Sequence, residues 1–100
     1  MLLFYVYILR CSDGSYYTGH TDNLEKRLSE HRIKKFDGYT STRLPIALAF
    51  HQGFNSRDDA RAAEHKIKTW NRLKKEVLIE YGWEGIIQLR KKRARGLNKL

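Results

Sequence analysis

The chain contains a single cysteine, Cys11. One thiol builds neither a disulfide framework nor a thiolate zinc site, and a reducing, cytosolic location fits. Long apolar runs are scarce too. The longest, MLLFYVYIL over residues 1–9, stops at Arg10, far short of the roughly 20 residues that cross a bilayer. No basic segment precedes it and no small-residue cleavage site follows it, so the expectation is a buried strand and no membrane partner. Internal repeats are absent. Acidic residues are in deficit, with 11 Asp and Glu against 20 Lys and Arg and a formal net charge of +9. The deficit is concentrated at one end. Residues 85–100 carry six basic side chains (Arg90, Lys91, Lys92, Arg93, Arg95, Lys99) and no acidic one. One domain over 1–84 followed by a basic tail over 85–100 is the expected organisation. Such a balance suits a polyanionic partner, most simply nucleic acid. The plainer alternative is a solvated surface with a disordered tail.

What is present reads as short alternating elements. Residues 3–10, LFYVYILR, are rich in β-branched and aromatic side chains and predict a strand. Asp13-Gly14 predicts a hairpin turn, since glycine supplies the positive φ such turns need, and a second strand follows over 15–20. Residues 46–52, IALAFHQ, predict a third strand, with Ile46, Leu48 and Phe50 on one face and Ala47, Ala49 and His51 on the other. Pro45 suits its start. Asp22-x-x-Glu25 predicts a capping box for a helix over about 23–33, and Ser56-x-x-Asp59 a start for one over about 57–69. A third helical segment spans about 71–81 and ends at Gly82. The order β-β-α-β-α-α implies an α+β domain, a small three-stranded antiparallel sheet flanked by helices.

The informative residues break these patterns. In the first helix, Leu24 and Leu28 set the inner stripe, and spacings of three and four residues place Arg27 and His31 beside them. In the second helix, Ala60, Ala63 and Ile67 set the stripe, and Glu64 falls on it. A carboxylate there must be paired, bound to a metal or turned to a cleft, because burying it alone is costly. A structural Arg27–Glu64 ion pair is one reading; a functional cluster is the other. The stretch YYTGHT at 16–21 adds to the second. Tyr7 and Tyr17 come out near each other across the hairpin, and Gly19 weakens a strand unless a neighbour needs room or the backbone turns unusually. Ordinary aromatic packing explains most strand tyrosines, but not Gly19.

At these residues the chain resembles the GIY-YIG nuclease superfamily, of the small stand-alone bacterial type. Tyr5-Val6-Tyr7 stands in place of the first motif and Tyr17-Thr18-Gly19 in place of the second. The helix with Arg27 and His31 follows, and Glu64 in ARAAEHKIKTW matches the acidic position. Tyr5 replaces the glycine of the first motif and Thr18 the isoleucine of the second. The resemblance covers roughly residues 3–81. It implies metal-dependent hydrolysis of a phosphodiester, usually in DNA. On that resemblance Glu64 is the metal ligand for Mg²⁺ or Mn²⁺, hard cations that take oxygen donors. Arg27 stabilises charge on the phosphate, and Tyr7 or Tyr17 orients or deprotonates the attacking water. His31 and His20 assist the base or bond to phosphate, Gly19 lets the backbone come close beside the phosphate, and Asn71 helps position it.

The loop over 33–45 interleaves Lys34, Lys35 and Arg43 with Phe36 and Tyr39. Basic groups track phosphates and aromatics stack on bases, so Lys34, Lys35, Tyr39 and Arg43 are candidate nucleic-acid contacts. No helix-turn-helix or zinc finger is present, which points to structure-guided recognition or to targeting by a protein partner. Three functions stand: an endonuclease acting in DNA repair or recombination, a catalytically weak nucleic-acid-binding module, and an interaction domain docking on an acidic partner.

Overall fold

The computed structural model describes residues 2–33 and 38–98, and side chains as far as residue 93. Lys34, Lys35 and Phe36 of the basic loop lie outside the described residues. The elements are β1 (Phe4–Arg10), β2 (Tyr16–Thr21), α1 (Leu24–Arg32), β3 (Ala47–Phe54), α2 (Arg57–Lys68) and α3 (Arg72–Asn98). Their order and the α+β class are those expected. The sheet is antiparallel, in the order β2-β1-β3. The chain divides into two compact units, residues 1–69 and 70–100. Among the described residues no helix is long and apolar enough to cross a membrane.

The apolar run at the N-terminus becomes the central strand. Val6, Tyr7, Ile8 and Leu9 are all fully buried. A strand covered on both faces reads as a continuous hydrophobic stretch rather than an alternating one, which is why β1 carries no polar face. The β1–β2 connection turns at Gly14, whose φ of 82° is in the left-handed region that glycine favours. The Cys11 amide donates to the Ser15 carbonyl at 2.9 Å and closes the loop.

Side chains alternate across the sheet, so the register assigns each residue a face. Tyr7 pairs with Gly19 and Leu9 with Tyr17. Tyr5, Tyr7, Leu9, Tyr17 and Gly19 therefore share one face, and Val6, Ile8, Thr18 and His20 the other. Tyr7 and Tyr17 are diagonal neighbours across the hairpin, close together as expected. The loop between the last paired residues, Arg10 and Tyr16, sets this offset. On the Tyr7 face, α1 packs over a cluster of Tyr7, Leu9, Cys11, Leu28 and Ile46, with Tyr17, Leu24, Leu44 and Leu48 around it. On the other face lies α2, with Ala60 and Ile67 fully buried.

β3 departs from its expected alternation. Ile8 pairs with Phe50, but Leu9 pairs with Leu48, so Ala49 is an extra residue in a β-bulge. The bulge sends Leu48 to the Tyr7 face and Phe50 to the Ile8 face. The two had been expected to share a face, and simple alternation has no means of registering one inserted residue.

The helix starts follow local hydrogen bonding. Ser56 caps α2 as expected, its side chain accepting from the Asp59 amide. The cap of α1 is Asn23 rather than Asp22. The Thr21 hydroxyl accepts from the Asn23 amide, Asn23 accepts from the Lys26 amide at 3.1 Å, and Asp22 pairs instead with Arg57 at 2.9 Å. In the second unit, helical geometry breaks at Gly82 (φ 68°), where the sequence predicts an end, but the helix resumes and runs to Asn98. Much of the basic stretch from residue 85 is thus helical. Trp70 and Trp83 meet edge to face with ring centroids 5.8 Å apart.

Thr18, in the motif position usually held by isoleucine, has a buried hydroxyl with no hydrogen-bond partner among the described residues. Replacing a buried unsatisfied hydroxyl with a methyl removes its desolvation cost. Thr18→Val is expected to raise unfolding free energy by about 1 kcal/mol, read from the urea midpoint at constant m-value.

Candidate active site

The site is built outward from Tyr7. Its ring crosses β2 at Gly19, where it fills the space of a side chain. A Cβ placed on Gly19 would lie 2.6 Å from the Tyr7 hydroxyl and 2.7 Å from Cζ. Gly19 is thus required by the phenol of Tyr7, in a continuous strand, and not by an unusual turn. Gly19→Ala forces the fully buried Tyr7 ring to move. The expected cost is about 1–3 kcal/mol of stability, measured by urea unfolding, with a lost or shifted Tyr7 ring signal in NMR spectra.

The Tyr7 hydroxyl is 3.1 Å from His31 Nε2, and His31 Nδ1 is 2.7 Å from the Thr40 hydroxyl. His31 and Thr40 are 4% and 2% exposed, so this chain of three polar groups is largely buried. Burial, then the nearby Arg27 charge, pushes the His31 imidazole below its ordinary 6.5, against a weaker opposing effect of Glu30. It is therefore neutral at neutral pH, with one ring nitrogen a donor and the other an acceptor. Burial raises the Tyr7 phenol well above its ordinary 10.0. Tyr17 and Glu64 add to the rise and Arg27 opposes it. Tyr7 thus lies within electrostatic reach of both the guanidinium and the carboxylate.

The His31 shift has a consequence for stability. The unfolded chain takes a proton on this histidine below about 6.5, whereas the folded chain resists until lower pH. Its contribution to stability is complete above the unfolded value and is lost as pH falls through the folded one. Between about pH 7.5 and about pH 5.5, above the carboxylate range, the urea midpoint of the intact chain should fall more than that of His31→Gln.

Tyr17 is half-buried beside this chain, its ring centroid 5.3 Å from His31 and 6.4 Å from Tyr7. Arg27 projects from α1 and approaches Glu30 at 3.4 Å. Tyr17, Arg27, His31, Gly38, Tyr39 and Thr40 enclose a cavity of about 170 Å³. Glu64 reaches the region from α2, on the opposite side of the sheet. Its Oε1 meets His20 Nδ1 at 2.5 Å and its Oε2 meets Lys68 Nζ at 2.7 Å. The structural ion pair of Glu64 is therefore with these two residues and not with Arg27. Burial alone lifts the Glu64 carboxyl, but the hydrogen bonds and charges of Lys68 and His20 outweigh it and hold it below its ordinary 4.5.

Of the other candidates, Tyr39 lines this cavity, and Arg43 and Asn71 are not among its lining residues. Arg43 donates from Nε to Asp13 at 3.0 Å and from Nη1 to the Tyr39 carbonyl at 2.8 Å. Its guanidinium also covers the Tyr39 ring at 3.8 Å, and Tyr39 stacks near Tyr17 with centroids 6.2 Å apart. Both residues are engaged in bracing the loop against the hairpin. Asn71 belongs to the second unit, where its side chain accepts from the Lys74 amide and caps α3. Sequence reasoning missed Thr40 and Lys68. Lys68 was reachable, since it stands four residues after Glu64 on a helix. Thr40 had no local signal.

The donor set suits a hard cation. Among the described residues no group of three or more His, Cys, Asp and Glu converges, so a cation at Glu64 would have that one carboxylate as its protein ligand. An ionised carboxylate with one or two protein contacts matches Mg²⁺, which keeps most of its waters.

Comparison with known proteins gives the family. Residues 3–76 match the GIY-YIG catalytic domain, and the chain belongs to that family of nuclease domains. Its relatives include proteins named only UPF0213. The one from Bacillus pumilus is 43% identical over 76 residues, which cover 76% of this chain and 78% of the relative. The one from Haloquadratum walsbyi is 44% identical over 78 residues, covering 78% and 88%. The NMR structure of UPF0213 protein BH0048 from Bacillus halodurans is similar, with a TM-score of 0.53 and 36% identity over 88% of this chain and 97% of that one. That of protein EF2693 from E. faecalis gives 0.54 and 35%, over 76% and 81%.

Proposed function

We propose that this chain is a metal-dependent endonuclease that hydrolyses DNA phosphodiester bonds, with a place in repair or recombination. The observation that carries the reading is the Tyr7 phenol, held by neutral His31 and sensing both the Arg27 and Glu64 charges. Buried ionisable groups perturbed in this way concentrate at catalytic sites.

The residues divide the work as follows. At neutral pH Tyr7 is a protonated phenol, so it acts as a base only by passing its proton on. With Nδ1–H donating to Thr40, His31 Nε2 accepts the phenol proton while the Tyr7 oxygen takes one from the attacking water. Arg27 stabilises the charge that builds on the phosphate oxygens, and Tyr17, beside it in the same cavity, orients the phosphate or the water. Glu64 would hold a Mg²⁺ or Mn²⁺ ion, which would supply polarisation of the phosphoryl oxygen and stabilisation of the leaving oxygen. His20 orients the Glu64 carboxylate. The basic helical segment after Gly82 supplies sequence-independent affinity for the backbone.

The test is cleavage of labelled single-stranded, duplex, nicked and branched DNA at low salt with Mg²⁺, Mn²⁺ or EDTA. Cutting that requires the metal is expected, and the preferred substrate names the structure recognised. Salt-sensitive binding without cutting by the intact chain would replace the nuclease with a binding module.

A further inference from the structure

The Glu64 carboxylate carries two partners of unequal kind. His20 is held on β2, its side chain 26% exposed, and takes Oε1. Lys68 is one turn further along the same helix as Glu64, its side chain 52% exposed, and takes Oε2. Both oxygens of the carboxylate read as the metal ligand are thus engaged, one by a fixed ring and one by the end of a flexible chain that reaches solvent.

A divalent cation and an ammonium compete for such an oxygen. Both seek the same lone pairs, and their charges repel within a few ångströms. The ring of His20 hydrogen-bonds the other oxygen and has no need to leave. Lys68 is the group that can move, because its charge regains water when it swings out and an exposed i,i+4 pair is worth little. We infer that Lys68 is a stand-in cation: it neutralises the buried Glu64 carboxylate in the metal-free chain and is displaced from Oε2 when a divalent metal binds. The inference rests on the reading of Glu64 as the metal ligand. Its effect is to keep the metal-free site folded and ionised, and to set metal affinity below what the carboxylate alone would give.

The test measures Mn²⁺ binding by the loss of the free-ion EPR signal, without DNA, in the intact chain and in Lys68→Met, Lys68→Arg and Glu64→Gln. Lys68→Met is expected to tighten Mn²⁺ binding about two- to tenfold, the size of a surface ion pair plus a residual repulsion. Lys68→Arg, which keeps the charge, should not tighten it. Thermal midpoints give a second readout: Lys68→Met should be less stable than the intact chain without metal, and saturating Mn²⁺ should narrow the gap. Glu64-dependent binding that Lys68→Met leaves unchanged or weakens overturns the inference and spares the metal site. Binding that survives in Glu64→Gln, or is absent from the intact chain and Lys68→Met alike, overturns both.

Discussion

Glu64→Gln is expected to abolish metal-dependent cleavage while leaving the fold intact. The glutamine has the same shape, and its amide still offers one oxygen to a hydrogen bond, so the buried stripe of α2, with Ala60 and Ile67, is retained. What disappears is the negative charge. In the intact chain that charge persists despite burial, because Lys68 and His20 hold the carboxyl below its ordinary range. A neutral amide gives a hard divalent cation a much weaker oxygen, and no other cluster of acidic or imidazole groups among the described residues replaces it. Cleavage should therefore fall by at least about 10³-fold at any Mg²⁺ concentration that supports the intact chain, the scale of losing a principal electrostatic stabiliser. Single-turnover rates over a Mg²⁺ titration are the measurement. Recovery of full rate at high Mg²⁺ would mean that Glu64 tunes affinity without being the ligand.

Tyr7→Phe should cost about 10²–10⁴-fold in the cleavage step, the span for removal of a general base. The ring that fills the space above Gly19 is retained, so the change tests the hydroxyl and not the packing. The substitution removes the partner of His31 Nε2 but leaves the Thr40 contact on Nδ1. Some loss of stability follows, since the buried imidazole loses a hydrogen bond. DNA affinity should be nearly unchanged, because the lost hydroxyl carries no charge at neutral pH. Loss of binding in step with loss of rate would assign Tyr7 to substrate contact. A parallel Tyr17→Phe series separates the two phenols: the one whose removal lowers rate alone is the base.

The positions at which expectation and structure part are instructive. Asp22 and Asn23 are both good cap residues, and the choice fell to Asn23 through the Thr21 hydroxyl on one side and the distant Arg57 on the other. Leu48 and Phe50 look like one face of one strand until Ala49 bulges between them. Arg43 carries no local signal for its partner, the Asp13 carboxylate 30 residues away. In each case the deciding partner is far along the chain.

The sequence by itself determined the element order, the hairpin at Asp13-Gly14, the cap at Ser56, the break at Gly82 and the family. All of these depend on signals that act within a few residues: alternation, helical spacing, capping and positive φ. It also placed Tyr7, Tyr17, Arg27, His31 and Glu64 under suspicion, because polar groups on an apolar stripe are conspicuous wherever the chain later goes. Only the tertiary structure decided how they meet. It set Tyr7 over Gly19, closed the Tyr7–His31–Thr40 chain and brought Glu64 to His20 across 44 residues. Register and packing make those choices, because a hydrogen bond between residues far apart in sequence is fixed by where both elements come to rest, and neither element carries that information alone.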